Sequence, residues 1–90
     1  MFVAIFNNEE ASYPVAVDPI KEHLDDKLSS IFKGEEGIFS QIEILEVKEG
    51  FESTVLCLKQ ASSFYNKQVG NHDDIGYHIT NAIRKICKPV

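Results

Sequence analysis

Apolar positions along this chain keep two different spacings. Residues 2–6, FVAIF, are continuously apolar and rich in β-branched and aromatic side chains, which reads as a strand ended by NNEEAS. A second short strand, YPVAV at 13–17, follows. Its Pro14 lacks a backbone N–H, so this strand belongs at a sheet edge or at its own start, pairing with the first as a hairpin.

The spacing then lengthens to that of a helix. Ile20, Leu24, Leu28, Ile31 and Phe32 fall on one face, Lys21, Glu22, Asp25, Asp26 and Lys27 on the other. Asp18 is placed to cap, Pro19 suits the first helical position and Gly34 closes the segment. Residues 38–60 read as a β-hairpin turning at Glu49 and Gly50. In its first arm Ile42 and Ile44 point one way and Leu45 and Val47 the other, which demands a bulge, a twist or two covered faces. The second arm, with Val55, Leu56, Cys57 and Leu58 in succession, reads as a strand buried on both sides. A polar connection at 61–71 follows, anchored by Phe64, Tyr65 and Val69. A second helix then runs over 75–87 on Ile75, Ile79, Ala82, Ile83 and Ile86, stopped by Pro89.

These elements predict a single α+β domain over residues 1–90. It is a two-layer sandwich in the order β(β)αββα, with two helices on one face of an antiparallel sheet of three or four strands. Ninety residues hold one core. Both faces of the strands are apolar, so two helices on one face leave the other bare. A homodimer through the sheet, or another protein laid against it, is expected to close it.

Charge narrows the partners. The net charge of −5 argues against general nucleic-acid binding, which needs clustered Lys and Arg. Residues 1–54 hold 4 Lys against 12 Asp and Glu, a balance of −8, and residues 55–90 hold 5 Lys and Arg against 2 Asp, a balance of +3. The opening MFVAIFNN has no basic leader and its apolar run stops at Asn7, so a cytoplasmic protein without membrane attachment is expected.

The only concentration of chemistry-bearing residues is NHDDIGYH, 71–78. Asn71, Asp73 and Asp74 suit the start of a helix, where unpaired N–H groups and the positive dipole end favour side-chain oxygens and acids. Asp74 and His78 share a helix side, but His72 and His78 are six apart and splay, so no metal and no cofactor are expected. His23 reads as part of a solvated helix face. Cys57 and Cys87 lack CxxC spacing and read as buried free thiols. No serine sits in a nucleophile elbow, and GEEG at 34–37 puts carboxylates where a phosphate would bind.

The stripe Tyr77, Asn81, Arg84 and Lys88 on the second helix combines residue types that contact surfaces favour. Tyr77, His78, Asn81 and Arg84 are therefore the candidate binding residues. The function expected is a small non-catalytic interaction or regulatory module. The competing class is an enzyme dependent on a small ligand or metal, with its site near 71–78.

Overall fold

The computed structural model describes residues 1–9, 11–68 and 73–90, with backbone alone for 36, 64–68 and 73–75. Its elements are strands β1 (Phe2–Asn7) and β2 (Ser12–Asp18), helix α1 (Lys21–Ile31), a short 3-10 helix (Glu36–Gln41), strand β3 (Ile42–Val47), helices α2 (Glu52–Gln68) and α3 (Asp73–Lys85), and strand β4 (Cys87–Pro89). The strands form one antiparallel sheet in the order β2-β1-β3-β4. The expected α+β sandwich on a four-stranded antiparallel sheet is the architecture observed.

β1 and β2 pair as the hairpin the sequence suggests. Ala4 faces Ala16 but Ile5 faces Pro14, so Val15 is left without a partner and β2 bulges by one residue. Pro14 lies in the outermost strand, where a missing N–H is tolerated. The central strand β1 supplies residues to both faces: Val3 and Ile5 join one core, Ala4 and Phe2 the other.

Those two cores correct the expected placement of the helices. On one face Leu24, Leu28 and Phe32 from α1 and the turn after it pack with Ala4 and Ala16. On the other, Val55 from α2 and Ile79 and Ile83 from α3 pack with Val3, Ile5, Leu45, Val47 and Cys87. Three helices thus divide between opposite faces, giving three layers where two layers and two helices were expected, because a sheet apolar on both sides draws cover to both. The apolar switch within β3 has the same cause: Ile42 and Ile44 go to the α1 side, Leu45 and Val47 to the α2–α3 side.

Three further expectations change. The segment 51–60 is not a strand but the start of α2. Gly50 at φ +93° turns the chain after β3, Val55 N–H donates to the Phe51 carbonyl at 3.1 Å, and the Glu52 carboxylate accepts the Gly50 N–H at 3.0 Å. Val55 and Ser62, seven apart, are buried while Leu56 and Cys57 are exposed, the periodicity of a half-covered helix. Residues 61–68 of the expected connection continue α2; 69–71 lie outside the described residues.

α3 ends at Lys85 rather than running to Cys87. The Lys48 N–H donates to the Ile86 carbonyl at 2.9 Å, and from there the chain adds β4 to the outer side of β3, with Pro89 as its last residue. Open ladder positions on β3 outcompete another half-turn of helix.

α1 begins at Lys21, with Ile20 at its N-cap and no side-chain cap. Asp18 Oδ1 instead accepts the Ile20 N–H at 2.9 Å, a local turn that swings the chain out of β2. Ile31, expected in the core, is 53% exposed; the buried line is Leu24, Leu28 and Phe32, each four residues on.

Candidate functional site

The stripe on α3 divides into residues that hold the fold and residues that face open space. The Tyr77 hydroxyl donates to the Asn8 carbonyl at 2.6 Å, tying α3 to the β1–β2 turn. Arg84 Nε donates to Glu43 Oε1 at 3.1 Å on β3, and Arg84 Nη1 to Asn81 Oδ1 at 3.1 Å. Lys88, read as part of the helical stripe, lies instead in β4 and pairs with Glu46 at 3.5 Å. Tyr77 and Arg84, two of the four candidate binding residues, are therefore occupied by the protein itself.

His78 and Asn81 are exposed, Asn81 with its Oδ1 accepting from Arg84. They line a cleft of about 710 Å³ between α2 and α3, together with Thr54, Leu58, Ala82, Lys85 and Ile86. Leu58 and Ile86 are half-buried and rest on the core, so the cleft has an apolar floor with a polar rim. Thr54 and Leu58 were not legible as site residues, because their segment read as a strand pointing into the interior. Ala82 was legible only as a core position.

The NHDDIGYH stretch is described only in part. His72 lies outside the described residues, and so does the Asp74 side chain. Among the described residues no group of three His, Cys, Asp or Glu side chains is placed to hold a metal ion.

Of the two thiols, Cys87 is buried as expected but Cys57 is exposed on α2. Burial pushes the Cys87 thiol pKa up, and the Lys48 charge pulls the other way more weakly. His23 lies 3.6 Å from Asp18 on α1 and is exposed. Asp18 is the most heavily engaged acid. Besides the Ile20 N–H, it meets Lys27 Nζ at 2.9 Å, and Lys27 also donates to the Val17 carbonyl at 3.0 Å. The Ile20 hydrogen bond, then that of Lys27, hold its carboxyl below the usual aspartate value against the effect of burial. These contacts anchor α1 to the end of β2.

A second concavity lies on the α1 face. Because α1 sits against β2 and β1, the β3 half of that face is covered only in part, by the 3-10 helix. There Asp25, Leu28, Ser29, Phe39, Ile42 and Ile44 line a groove of about 340 Å³. Ile42 and Ile44 are half-buried and Phe39 is 36% exposed, with its ring 6.5 Å from that of Phe32.

Comparison with protein family models, curated proteins and solved structures finds no match to this chain. Among the described residues no helix is long and apolar enough to cross a membrane.

Proposed function

We propose that this chain is a non-catalytic interaction or regulatory module that works through protein–protein contacts and pairs with a second copy through the sheet face beside α1. The expectation of a wholly bare sheet face falls, since α2 and α3 cover one side and α1 part of the other. What carries the proposal is the remainder: the groove in which Phe39, Ile42 and Ile44 stand partly open beside one another. Contiguous apolar surface of this kind marks contact sites on soluble proteins, and an isologous two-fold closes it without a second gene product.

Light scattering at micromolar concentration tests the pairing. The chain mass is 10.1 kDa, and the expected particle has twice that mass. Ile44→Asp and, separately, Phe39→Asp halve it while leaving the circular dichroism of the fold unchanged. A wild-type particle at the single-chain mass overturns the self-pairing.

A further inference from the structure

We propose that the cleft between α2 and α3 is a docking groove for an acidic amphipathic helix of a partner protein, a surface separate from the groove beside α1. The cleft is lined from the first half of α2, by Thr54 and Leu58, from α3, by His78, Asn81, Ala82 and Lys85, and by Ile86 just past its end. Two consecutive helices thus pass each other and leave a trough between them. A trough between two helices is the complement of a third, which seats its ridge of side chains at i, i+3, i+4 and i+7 in it.

The floor says what such a ridge must present. Leu58, Ala82 and Ile86 are its apolar members, and Ala82, the smallest side chain in the lining, leaves room for a large apolar side chain. The rim says what must surround that side chain. Among the described residues its charged or chargeable members are Lys85 and His78, and none is a carboxylate.

Lys85 has no ion pair among the described residues, whereas its neighbours Arg84 and Lys88 are taken by Glu43 and Glu46. Its place in the last turn of α3 favours a cation there, but leaves the ammonium group itself open to a partner. His78 and Lys85 are seven residues apart, about 10 Å along the helix, which is close to two turns. Acidic residues two turns apart on a docked helix meet both. Asn81, between them, gives its Oδ1 to Arg84, and its amide N–H groups remain to donate to a carboxylate. The charge complement is local: the chain as a whole is acidic at −5, whereas the full charge among the described lining residues is that of Lys85.

The test uses a fluorescein-labelled helical peptide with leucines at i, i+3, i+4 and i+7 and glutamates on both flanks, and its counterpart with lysines for the glutamates. Fluorescence anisotropy with the full chain is expected to show saturable binding of the glutamate peptide, about tenfold or more tighter than the lysine peptide, and weakened by salt. Ala82→Leu fills the trough and abolishes binding, and Lys85→Glu removes the preference for the glutamate peptide. Ile44→Asp, on the opposite face, leaves binding intact, so failure here and failure of the self-pairing are read separately. Thermal unfolding establishes that each variant folds. Equal affinity for the two peptides, or binding indifferent to Ala82→Leu, overturns the proposal. So does sodium decanoate binding in the cleft where the glutamate peptide does not, which makes it a small-carboxylate site. A chain dimer lost on Ala82→Leu also overturns it, by making the occupant a second copy.

Discussion

Ser12 and Thr80, 68 residues apart in sequence, meet hydroxyl to hydroxyl at 2.8 Å in the interior. Thr80 Oγ1 also lies 3.1 Å from the Gly76 carbonyl, and a threonine has one proton to give. The consistent arrangement has Thr80 donating back to Gly76 and Ser12 donating to Thr80. This pair fixes the register of α3 against the edge strand β2. Thr80→Val keeps the shape and strands the Ser12 hydroxyl, and is expected to destabilise the fold by about 1–3 kcal/mol. Ser12→Ala combined with Thr80→Val should recover part of that loss, since neither partner is then left unsatisfied. Urea denaturation of the two single variants and the double variant measures the coupling, and strict additivity counts against it.

Gly76 sits on the same contact. A Cβ placed there falls on the Ser12 carbonyl oxygen, a backbone atom that cannot swing away. Gly76→Ala gains roughly 1 kcal/mol in helix propensity. The clash forces α3 off β2, and overpacking of this kind costs about 1–3 kcal/mol. The expected net result is a less stable protein, read as a lower urea midpoint. A more stable variant would show that α3 lies further from β2.

The helix-bearing core separates Leu28 from Ile31. Leu28 is 3% exposed and Ile31 53%, although both fit the apolar stripe of α1. Leu28→Ala is expected to cost about 2–5 kcal/mol, and Ile31→Ala under about 1 kcal/mol. Comparable losses at the two positions, measured by chemical denaturation, would mean that α1 is rotated on the sheet.

Much of this was legible wherever one physical signal stood alone. β1, the edge position of Pro14 and the two-sided character of β3 followed from β-branched runs, a missing N–H and a change of apolar face. The segment at 55–58 misled because four consecutive apolar residues satisfy a doubly buried strand and a helix equally. Its length without Gly or Pro, from Phe51 to Val69, favoured the helix, as did Leu, Lys, Gln and Ala around it. Once that segment is a helix, the cleft exists and Thr54 and Leu58 line it. The site was hidden because its second wall had been assigned to the sheet. Tyr77 and Arg84 misled differently: the sequence showed an exposed-looking stripe but not that Asn8 and Glu43 come to meet it.

Acid should loosen the junction of β2 and α1. Asp18 is held below the usual aspartate value of about 3.9 by the Ile20 N–H first and Lys27 second. A group whose folded pKa is depressed contributes stability that is present above its unfolded value and lost as pH falls through the folded one. The window therefore lies below about pH 4, not near neutrality. Asp18→Asn is expected to be less stable than wild type at pH 6, with the gap narrowing as pH falls toward 2–3. A gap that is constant with pH, in urea midpoints taken across this range, would show that the Asp18 charge contributes nothing.

The two thiols test the segment that sequence alone misread. If residues 51–60 formed a strand covered on both faces, Cys57 would be interior and the native protein would present no reactive thiol. On α2, Cys57 is exposed beside Leu56, itself 42% exposed, while Cys87 is 7% exposed in β4 opposite Val47. Burial also raises the Cys87 pKa, which lowers its thiolate fraction and slows attack further. With an aromatic disulfide reagent at neutral pH, the native chain should release one equivalent rapidly and the second only as urea unfolds it. Cys57→Ser should abolish the fast equivalent, and Cys87→Ser should leave it. No fast thiol would return Cys57 to the interior and remove the second wall of the cleft. Two fast thiols would mean that β4 does not hold its place on β3.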